Sequence, residues 1–228
     1  MIKINNVTVS FDKKIVLDKI NADFTIGKLY GIVGFNGAGK TTFFNTLSCG
    51  IKPDSGNITI NGEKISNKIA GYLETNNFFY SGITGNEYLK IFNQSNSNFN
   101  LSVLQEYMKL PLDNLIETYS SGMKKKLALL AVLKQDKSVY LFDEPFNGLD
   151  LETNKVLEII ILALRDKGKT IFISSHIVDP LFHVCDEIMF LENGRFIKSF
   201  HKNEFNTMEE ALFGKLKEEA KVVISKSI

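Results

Sequence analysis

The feature that most constrains the fold is a glycine-rich segment, GFNGAGKT at residues 34–41, which lies between a predicted strand and a predicted helix. The strand is the apolar run KLYGIVG, and the helix begins within TTFFNTLSCG. The segment fits G-x-x-x-x-G-K-[ST], the pattern of a phosphate-binding loop in that setting. In chains of this length, the pattern occurs by chance in roughly one in a hundred, so a glycine-rich turn without a phosphate-binding role is the less favoured alternative. The sequence therefore predicts an α/β fold built around a phosphate-binding loop.

The residue types of the loop suit a nucleoside triphosphate. Its three glycines allow backbone N–H groups to converge on phosphate oxygens. Lys40 reaches the β- and γ-phosphates, Thr41 offers a hydroxyl oxygen to Mg²⁺, and Thr42 lies near the α-phosphate. We therefore predict ATP or GTP binding. The predicted contacts are Gly34, Asn36, Gly37, Ala38, Gly39, Lys40, Thr41 and Thr42.

Apolar runs elsewhere in the chain predict the surrounding sheet. Four runs, at 28–34, 138–143, 170–175 and 187–192, alternate with helical patterns. This order favours a mostly parallel sheet that is covered on both faces. The N-terminal segments IKINNVTVSF and GNITINGEKI instead alternate apolar and polar residues, as antiparallel strands with one wet face do.

Residues 77–135 have a third pattern, with helices and loops but no clear strand. We predict an α/β P-loop NTPase core with a mostly parallel sheet, an N-terminal antiparallel β subdomain and an inserted α-helical subdomain. Residues 1–76 and 136–200 form the RecA-like ATP-binding core with the β subdomain. Residues 77–135 form the helical subdomain, and residues 201–228 form a C-terminal helical tail.

Two acids end the predicted strand VYLFDE, at Asp143 and Glu144. A buried carboxylate needs a cation or hydrogen-bond donors, so we expect Asp143 to hold Mg²⁺. In an extended strand Glu144 would face the other way, where it could orient the water that attacks the γ-phosphate. His176 ends the next apolar strand and could contact the γ-phosphate. Solvated acids at a strand end and a surface histidine are the alternatives for these residues.

Composition limits the class of function. The net charge of +1 gives no field that favours nucleic acid, so no nucleic-acid partner is expected. The apolar stretch VLEIIILALRDKGK is too short to cross a bilayer, which needs about 20 apolar residues. The N-terminus lacks the apolar core of a signal peptide. The two cysteines, Cys49 and Cys185, are more typical of reduced cytosolic thiols than of a disulfide.

A second anion site is indicated at YSSGM, residues 119–123, where a helical pattern begins. A helix start offers unpaired N–H groups and the positive end of the helix dipole. A serine that only caps a core helix is the alternative.

Five motifs in one order, GFNGAGKT, YSSGM, VYLFDEP, GLD and SSH, resemble the nucleotide-binding subunit of an ATP-binding cassette (ABC) transporter over residues 1–200. The resemblance implies two cassettes that enclose two Mg-ATP molecules. Ser120, Ser121 and Gly122 would then cap the ATP bound by the partner cassette. Phe11 would stack on adenine, and Asp150 would couple the two sites. For Phe11, ordinary strand packing is the alternative.

The sequence departs from the family pattern at three positions. Ser121 replaces a glycine and Met123 a glutamine in the cap, and serine disfavours a positive φ. Glu74 stands nearest to the glutamine that contacts Mg²⁺ in the family, and its carboxylate could still ligate the ion. The segment around Glu74 is similar to exporters of peptides, lantibiotics or bacitracin-like compounds.

The resemblance implies an ATPase that dimerises with a second copy or a homologous cassette. It would drive an integral membrane permease from the cytoplasmic face of the membrane. Glu144, His176 and Lys40 would carry the catalysis. The alternative function is a soluble ABC-type ATPase that acts on ribosomes or nucleic acid. A catalytically inactive module conflicts with the presence of both Glu144 and His176.

Overall fold

The computed structural model describes residues 1–66, 68–93 and 100–225. Residues 94–99 of the predicted helical subdomain and residues 226–228 of the predicted tail lie outside the described residues. The strands are β1 Ile2–Phe11, β2 Lys14–Phe24, β3 Leu29–Val33, β4 Ser55–Ile60, β5 Glu63–Lys64, β6 Ala70–Leu73, β7 Val139–Asp143, β8 Thr170–Ser175, β9 Glu187–Glu192 and β10 Arg195–His201. The helices are α1 Lys40–Leu47, α2 Gly85–Ile91, α3 Leu101–Tyr107, α4 Ser121–Lys134, α5 Leu151–Asp166, α6 Asp179–Val184 and α7 Phe205–Ser225.

Six strands form the central sheet in the order β10-β9-β3-β8-β7-β6. All neighbouring pairs are parallel except β10 and β9. Strand β3 shows why these strands are apolar throughout. Tyr30 and Ile32 pack into one core, and Leu29 and Val33 pack into the other. Because successive side chains point to opposite faces, a sheet that is covered on both faces needs an unbroken apolar run.

The second sheet is antiparallel and has the order β2-β1-β4-β5. Its β4–β5 hairpin turns at Asn61 and Gly62, with φ of 52° and 86°. Two consecutive left-handed residues are what a tight hairpin requires, and Asn-Gly supplies them at little cost. This sheet shares an apolar core with α1 and one face of the central sheet, including the aromatic group Phe24, Tyr30 and Phe172.

Between β6 and β7, the described residues form helices α2, α3 and α4. Helix α4 carries the consecutive buried residues 127–133 and packs against β6, α2 and α3. The predicted fold class, an α/β P-loop NTPase fold with an antiparallel N-terminal sheet, is confirmed. Within the described ranges, no helix combines the length and apolar character that crossing a membrane requires.

Candidate functional site

The order of the central strands assembles the site. Strand β8 lies between β3, which leads into the phosphate loop, and β7, which ends in Asp143. In a parallel sheet the carboxyl ends of neighbouring strands meet at one edge. The phosphate loop, the two acids and His176, which follows β8, therefore lie together at that edge.

The phosphate loop requires glycine for two different reasons. Gly37 and Gly39 have φ of 81° and 108°, in the left-handed region that favours glycine. Gly34 is restricted by space instead, because a Cβ there would lie 2.3 Å from the backbone carbonyl oxygen of Leu191. Helix α1 begins directly after Gly39, so its first N–H groups face the loop.

Lys40 is buried and is held from two sides. Its Nζ donates to the carbonyl oxygen of Gly34 at 2.7 Å and lies 3.6 Å from Oε1 of Glu144. Only 7% of its side chain is exposed. A buried ammonium group next to converging backbone N–H groups provides strong positive potential for an anion.

Asp143 is 1% exposed and is surrounded by hydroxyl groups. Thr41 Oγ1 donates to Oδ2 at 2.8 Å, and the Tyr72 hydroxyl lies 3.4 Å from the same oxygen. Ser174 Oγ donates to Oδ1. Burial, reinforced by the Asp143 and Glu74 carboxylates, raises the pKa of the Tyr72 phenol, which therefore stays a neutral donor. These contacts compensate the cost of burying the carboxylate.

Glu144 has a left-handed backbone, with φ of 49°. Its N–H donates to Ser174 Oγ at 2.9 Å. Its Oε2 lies 2.9 Å from His176 Nδ1 and 3.4 Å from Asn147 Nδ2. The left-handed turn breaks the alternation of the strand, so the carboxylates of Asp143 and Glu144 border the same pocket.

This pocket has a volume of about 470 Å³. It brings together most of the predicted loop residues with both acids and His176, and leaves out Gly34 and Ala38. Four residues in its lining were not predicted: Val16, Phe35, Thr75 and Asn147. Asn147 could have been found from its position between Glu144 and the motif GLD at 148–150. Val16 lies in β2, and nothing in the sequence around it indicates a place in the pocket. The lining consists of Val16, Phe35, Asn36, Gly37, Gly39, Lys40, Thr41, Thr42, Thr75, Asp143, Glu144, Asn147 and His176.

The chemistry of Thr41 and Asp143 fits Mg²⁺. A hydroxyl and a carboxylate oxygen at hydrogen-bond distance are hard donors of the kind this ion prefers. Among the described residues no cluster of three or more His, Cys, Asp or Glu side chains could hold a metal. A divalent ion at Thr41 and Asp143 would therefore need phosphate or water oxygens to complete its shell.

Phe11 and Glu74, two further predicted ligands, also lie outside this pocket. Phe11 ends β1 and is 47% exposed, whereas Val16 and Phe35 supply the apolar lining. Glu74 is exposed after β6, and its neighbour Thr75 borders the pocket instead. The residues predicted to contact adenine and the metal ion, Phe11 and Glu74, therefore do not line the pocket of the phosphate loop.

The predicted cap residues also lie away from the pocket of their own chain. Ser120 is the N-cap of α4, where its Oγ accepts the N–H of Met123 at 3.2 Å. Ser121 is the first helical residue and has no positive φ, so serine costs nothing there in backbone conformation. Gly122 follows it in the first turn of α4. These three residues form an open helix start.

Asp150 caps another helix, α5. Its Oδ1 accepts the N–H of Thr153 at 2.7 Å, and its Oδ2 accepts the Thr153 hydroxyl at 3.0 Å. These hydrogen bonds hold the pKa of the Asp150 carboxyl below its ordinary value. Asp150 is therefore an exposed anion at the end of the loop that starts at Glu144.

The fold and the pocket define a P-loop nucleoside triphosphatase. The family described as ABC transporter matches residues 17–147, and the chain belongs to this family. The predicted class of function, an ATP-binding and ATP-hydrolysing subunit of the ABC transporter family, is thereby confirmed.

Two curated relatives and one solved structure show the extent of the similarity. The lantibiotic transport ATP-binding protein SrtF of Streptococcus pyogenes is 30% identical over 92% of this chain and 95% of its own length. The bacitracin transport ATP-binding protein BcrA of Enterococcus faecalis is 27% identical over 90% of this chain and 71% of its own length. A structure of the ATP-binding subunit of an ABC transporter superposes with a TM-score of 0.82 at 23% identity, covering 94% of this chain and 93% of that one.

Proposed function

We propose that two copies of this chain, or this chain and a homologous cassette, close around two Mg-ATP molecules and drive transport through a separate membrane permease. The observation that carries this proposal is the separation of two anion-binding elements. The phosphate loop lies with Glu144 in one pocket, whereas the helix start at Ser120–Gly122 is open and outside it.

Within one chain, the pocket residues take distinct roles. The loop N–H groups and Lys40 bind the β- and γ-phosphates, and Glu144 orients the attacking water and accepts its proton. His176 follows β8, and its Nδ1 lies 2.9 Å from Glu144 Oε2. From there the imidazole would contact the γ-phosphate. Mg²⁺ held by Thr41 and Asp143 would neutralise charge on the phosphates. Glu74 would add a carboxylate oxygen to the ion and Phe11 would stack on adenine, beyond the residues that line the pocket.

The second cassette completes the site. Ser120 and the N–H groups of Ser121 and Gly122 offer hydrogen bonds and the positive end of the α4 dipole to the partner's γ-phosphate. Asp150, exposed at the start of α5, lies on the loop that leads from Glu144. Closure is favoured by ATP because the nucleotide contacts both cassettes only in the closed state.

The transport role rests on family membership and on two relatives. Their names concern lantibiotic and bacitracin transport, which favours a permease for peptide antibiotics of these kinds. The side chains of Phe78 and Tyr80 are 70% and 54% exposed, and their rings pack edge to face with centroids 5.1 Å apart. This exposed apolar patch would dock at the permease. The chain would then act at the cytoplasmic face of the membrane as a peripheral subunit.

The variant Glu144→Gln tests the catalytic assignment. The amide keeps the size of the side chain but cannot accept a proton from water, so we expect ATP binding to persist and turnover to fall by at least about 100-fold. The closed dimer should accumulate with Mg-ATP, as measured by size-exclusion chromatography with light scattering. Undiminished hydrolysis would remove Glu144 from its proposed role.

Purification from a detergent extract tests the partner. Co-purification of a multi-span membrane protein supports transport. Co-purification of ribosomal RNA, with no membrane protein, would favour the soluble ATPase that acts on ribosomes or nucleic acid.

A further inference from the structure

Lys125 joins the cap helix to the catalytic acid. It lies in the second turn of α4, five residues after Ser120, and its Nζ donates to two backbone carbonyls. The acceptors are the carbonyl oxygens of Glu144, at 2.7 Å, and Asn147, at 2.8 Å. One side chain therefore connects the helix that carries the proposed cap to both ends of the turn 144–147.

This contact acts on a backbone that would otherwise be unfavourable. Glu144 has φ of 49°, which disfavours a residue with a side chain. Ser174 Oγ accepts its N–H, and Lys125 together with the Asn147 N–H binds its carbonyl oxygen. Fixing the groups on both sides of the Glu144 Cα fixes the direction of its side chain, which points to Lys40 and His176.

The amine is held where its charged form is disfavoured. Burial lowers the pKa of Lys125 to about 8, although the nearby Glu144 and Asp143 carboxylates act in the opposite direction. A cation in such surroundings contributes little to fold stability. Ionisable groups with displaced pKa values concentrate at functional sites.

Lys125 is also separated from the nucleotide pocket. It lines a different cavity, of about 170 Å³, together with Met123, Leu129, Asp150 and Val156. The side chain therefore approaches the turn 144–147 from the side of α4 and α5 and has no place among the phosphate-binding residues.

We propose that Lys125 is a positioning residue, which orients Glu144 for catalysis and makes that orientation depend on the placement of the cap helix α4. This inference rests on the proposed function, because it assumes that Glu144 acts in ATP hydrolysis. Lys125 would thus connect two parts of one chain. One is helix α4, whose start caps the ATP bound by the partner, and the other is Glu144, which acts on the ATP bound by the same chain.

Steady-state ATP hydrolysis by the full chain, purified with its co-purifying membrane subunit, tests the proposal. Lys125→Met removes both hydrogen bonds, and we expect kcat to fall at least about tenfold while KM for Mg-ATP changes less than about twofold. The thermal midpoint should fall only slightly, because Asn147 is exposed to water and its N–H still binds the Glu144 carbonyl oxygen. Lys125→Arg keeps donors that can reach both carbonyls and should restore most of kcat.

Lys134→Met is the matched control. Lys134 lies on the same helix and also donates to a backbone carbonyl, that of Leu89 at 2.7 Å, but this contact joins α4 to α2. We expect wild-type kcat from this variant.

A wild-type kcat in Lys125→Met, or a rise in KM without a fall in kcat, would overturn the positioning role. If the methionine variant does not fold, Lys125→Gln replaces it, because its shorter side chain cannot span both acceptors, and the same two outcomes decide. Absence of ATP hydrolysis by the wild-type complex would contradict the proposed function itself, and this inference with it.

Discussion

At the scale of single residues, the site depends on how closely backbones approach. Gly34 is the clearest case, since its α-carbon faces the carbonyl oxygen of Leu191 on the neighbouring strand β9. Gly82, in an exposed loop, has φ of 73° but open space around it. The two glycines therefore separate the cost of crowding from the cost of a left-handed backbone.

We expect Gly34→Ala to destabilise the chain more than Gly82→Ala. The new methyl group of Gly34→Ala would lie 2.3 Å from a backbone oxygen, so β3 and β9 would have to move apart. Overpacking of this kind costs about 1–3 kcal/mol or more. Gly82→Ala carries only the left-handed penalty, about 1–2 kcal/mol. Urea denaturation followed by circular dichroism measures both; equal losses would contradict the crowding argument.

Residue spacing predicted the loop glycines, Lys40 and Thr41 because their chemistry is local to eight consecutive positions. It could not predict Val16 and Thr75 in the pocket lining, because these positions depend on how distant strands pack. It also could not predict the left-handed φ of Glu144, which is maintained by tertiary contacts from Ser174 and Lys125.

At the scale of elements, β8 holds the site together. It separates the strand of the phosphate loop from the strand of the two acids, and its Ser174 is fully buried. The hydroxyl of Ser174 donates to Asp143 Oδ1 and accepts the N–H of Glu144. One hydroxyl thus satisfies polar groups of both acids at the end of β7.

Ser174→Ala should therefore lower both stability and turnover. A buried carboxylate loses a donor and a backbone N–H loses its acceptor, at a cost of about 1–3 kcal/mol per unsatisfied group. Chemical denaturation measures the stability, and kcat reports the orientation of Glu144. Ser199→Ala, on the exposed strand β10, is the control and should stay within about 0.5 kcal/mol of wild type. Wild-type values for Ser174→Ala would show that another donor replaces the hydroxyl.

The elements themselves were predicted unevenly. The apolar runs of β3, β7 and β8 gave a clear signal because both of their faces are buried. Strand β9 is half-buried at Met189 but buries Ile188, Phe190 and Leu191, so its apolar run is also clear. Strands β6 and β10 lie at the edges of the central sheet, and β10 is mostly exposed, so its sequence lacks an unbroken apolar run. The helices between β6 and β7 could be predicted because the 3.6-residue spacing of apolar side chains is visible in the sequence itself, without knowledge of tertiary contacts.

At the scale of the whole molecule, two copies of the chain would share each active site, because one copy supplies the phosphate loop and the other supplies the cap. The pocket around Lys40 and the helix start at Ser120 belong to one chain but would serve different nucleotides. A defect in either element therefore removes both sites of a symmetric dimer, because each site takes one element from each copy. When the two defects are carried by different chains, however, both fall on the same site and the other site stays intact.

Mixing two inactive variants tests this arrangement. Lys40→Ala abolishes phosphate binding, and Ser120→Arg blocks the cap with a bulky side chain, so each variant alone should hydrolyse almost no ATP. A mixed dimer combines both defects in one site and leaves the other intact. Random exchange of subunits should then restore about a quarter of the wild-type activity, since half of the dimers carry one intact site of two. Activity that stays at the level of the separate variants would show that copies of this chain do not share their sites, since only a shared site can be restored by mixing.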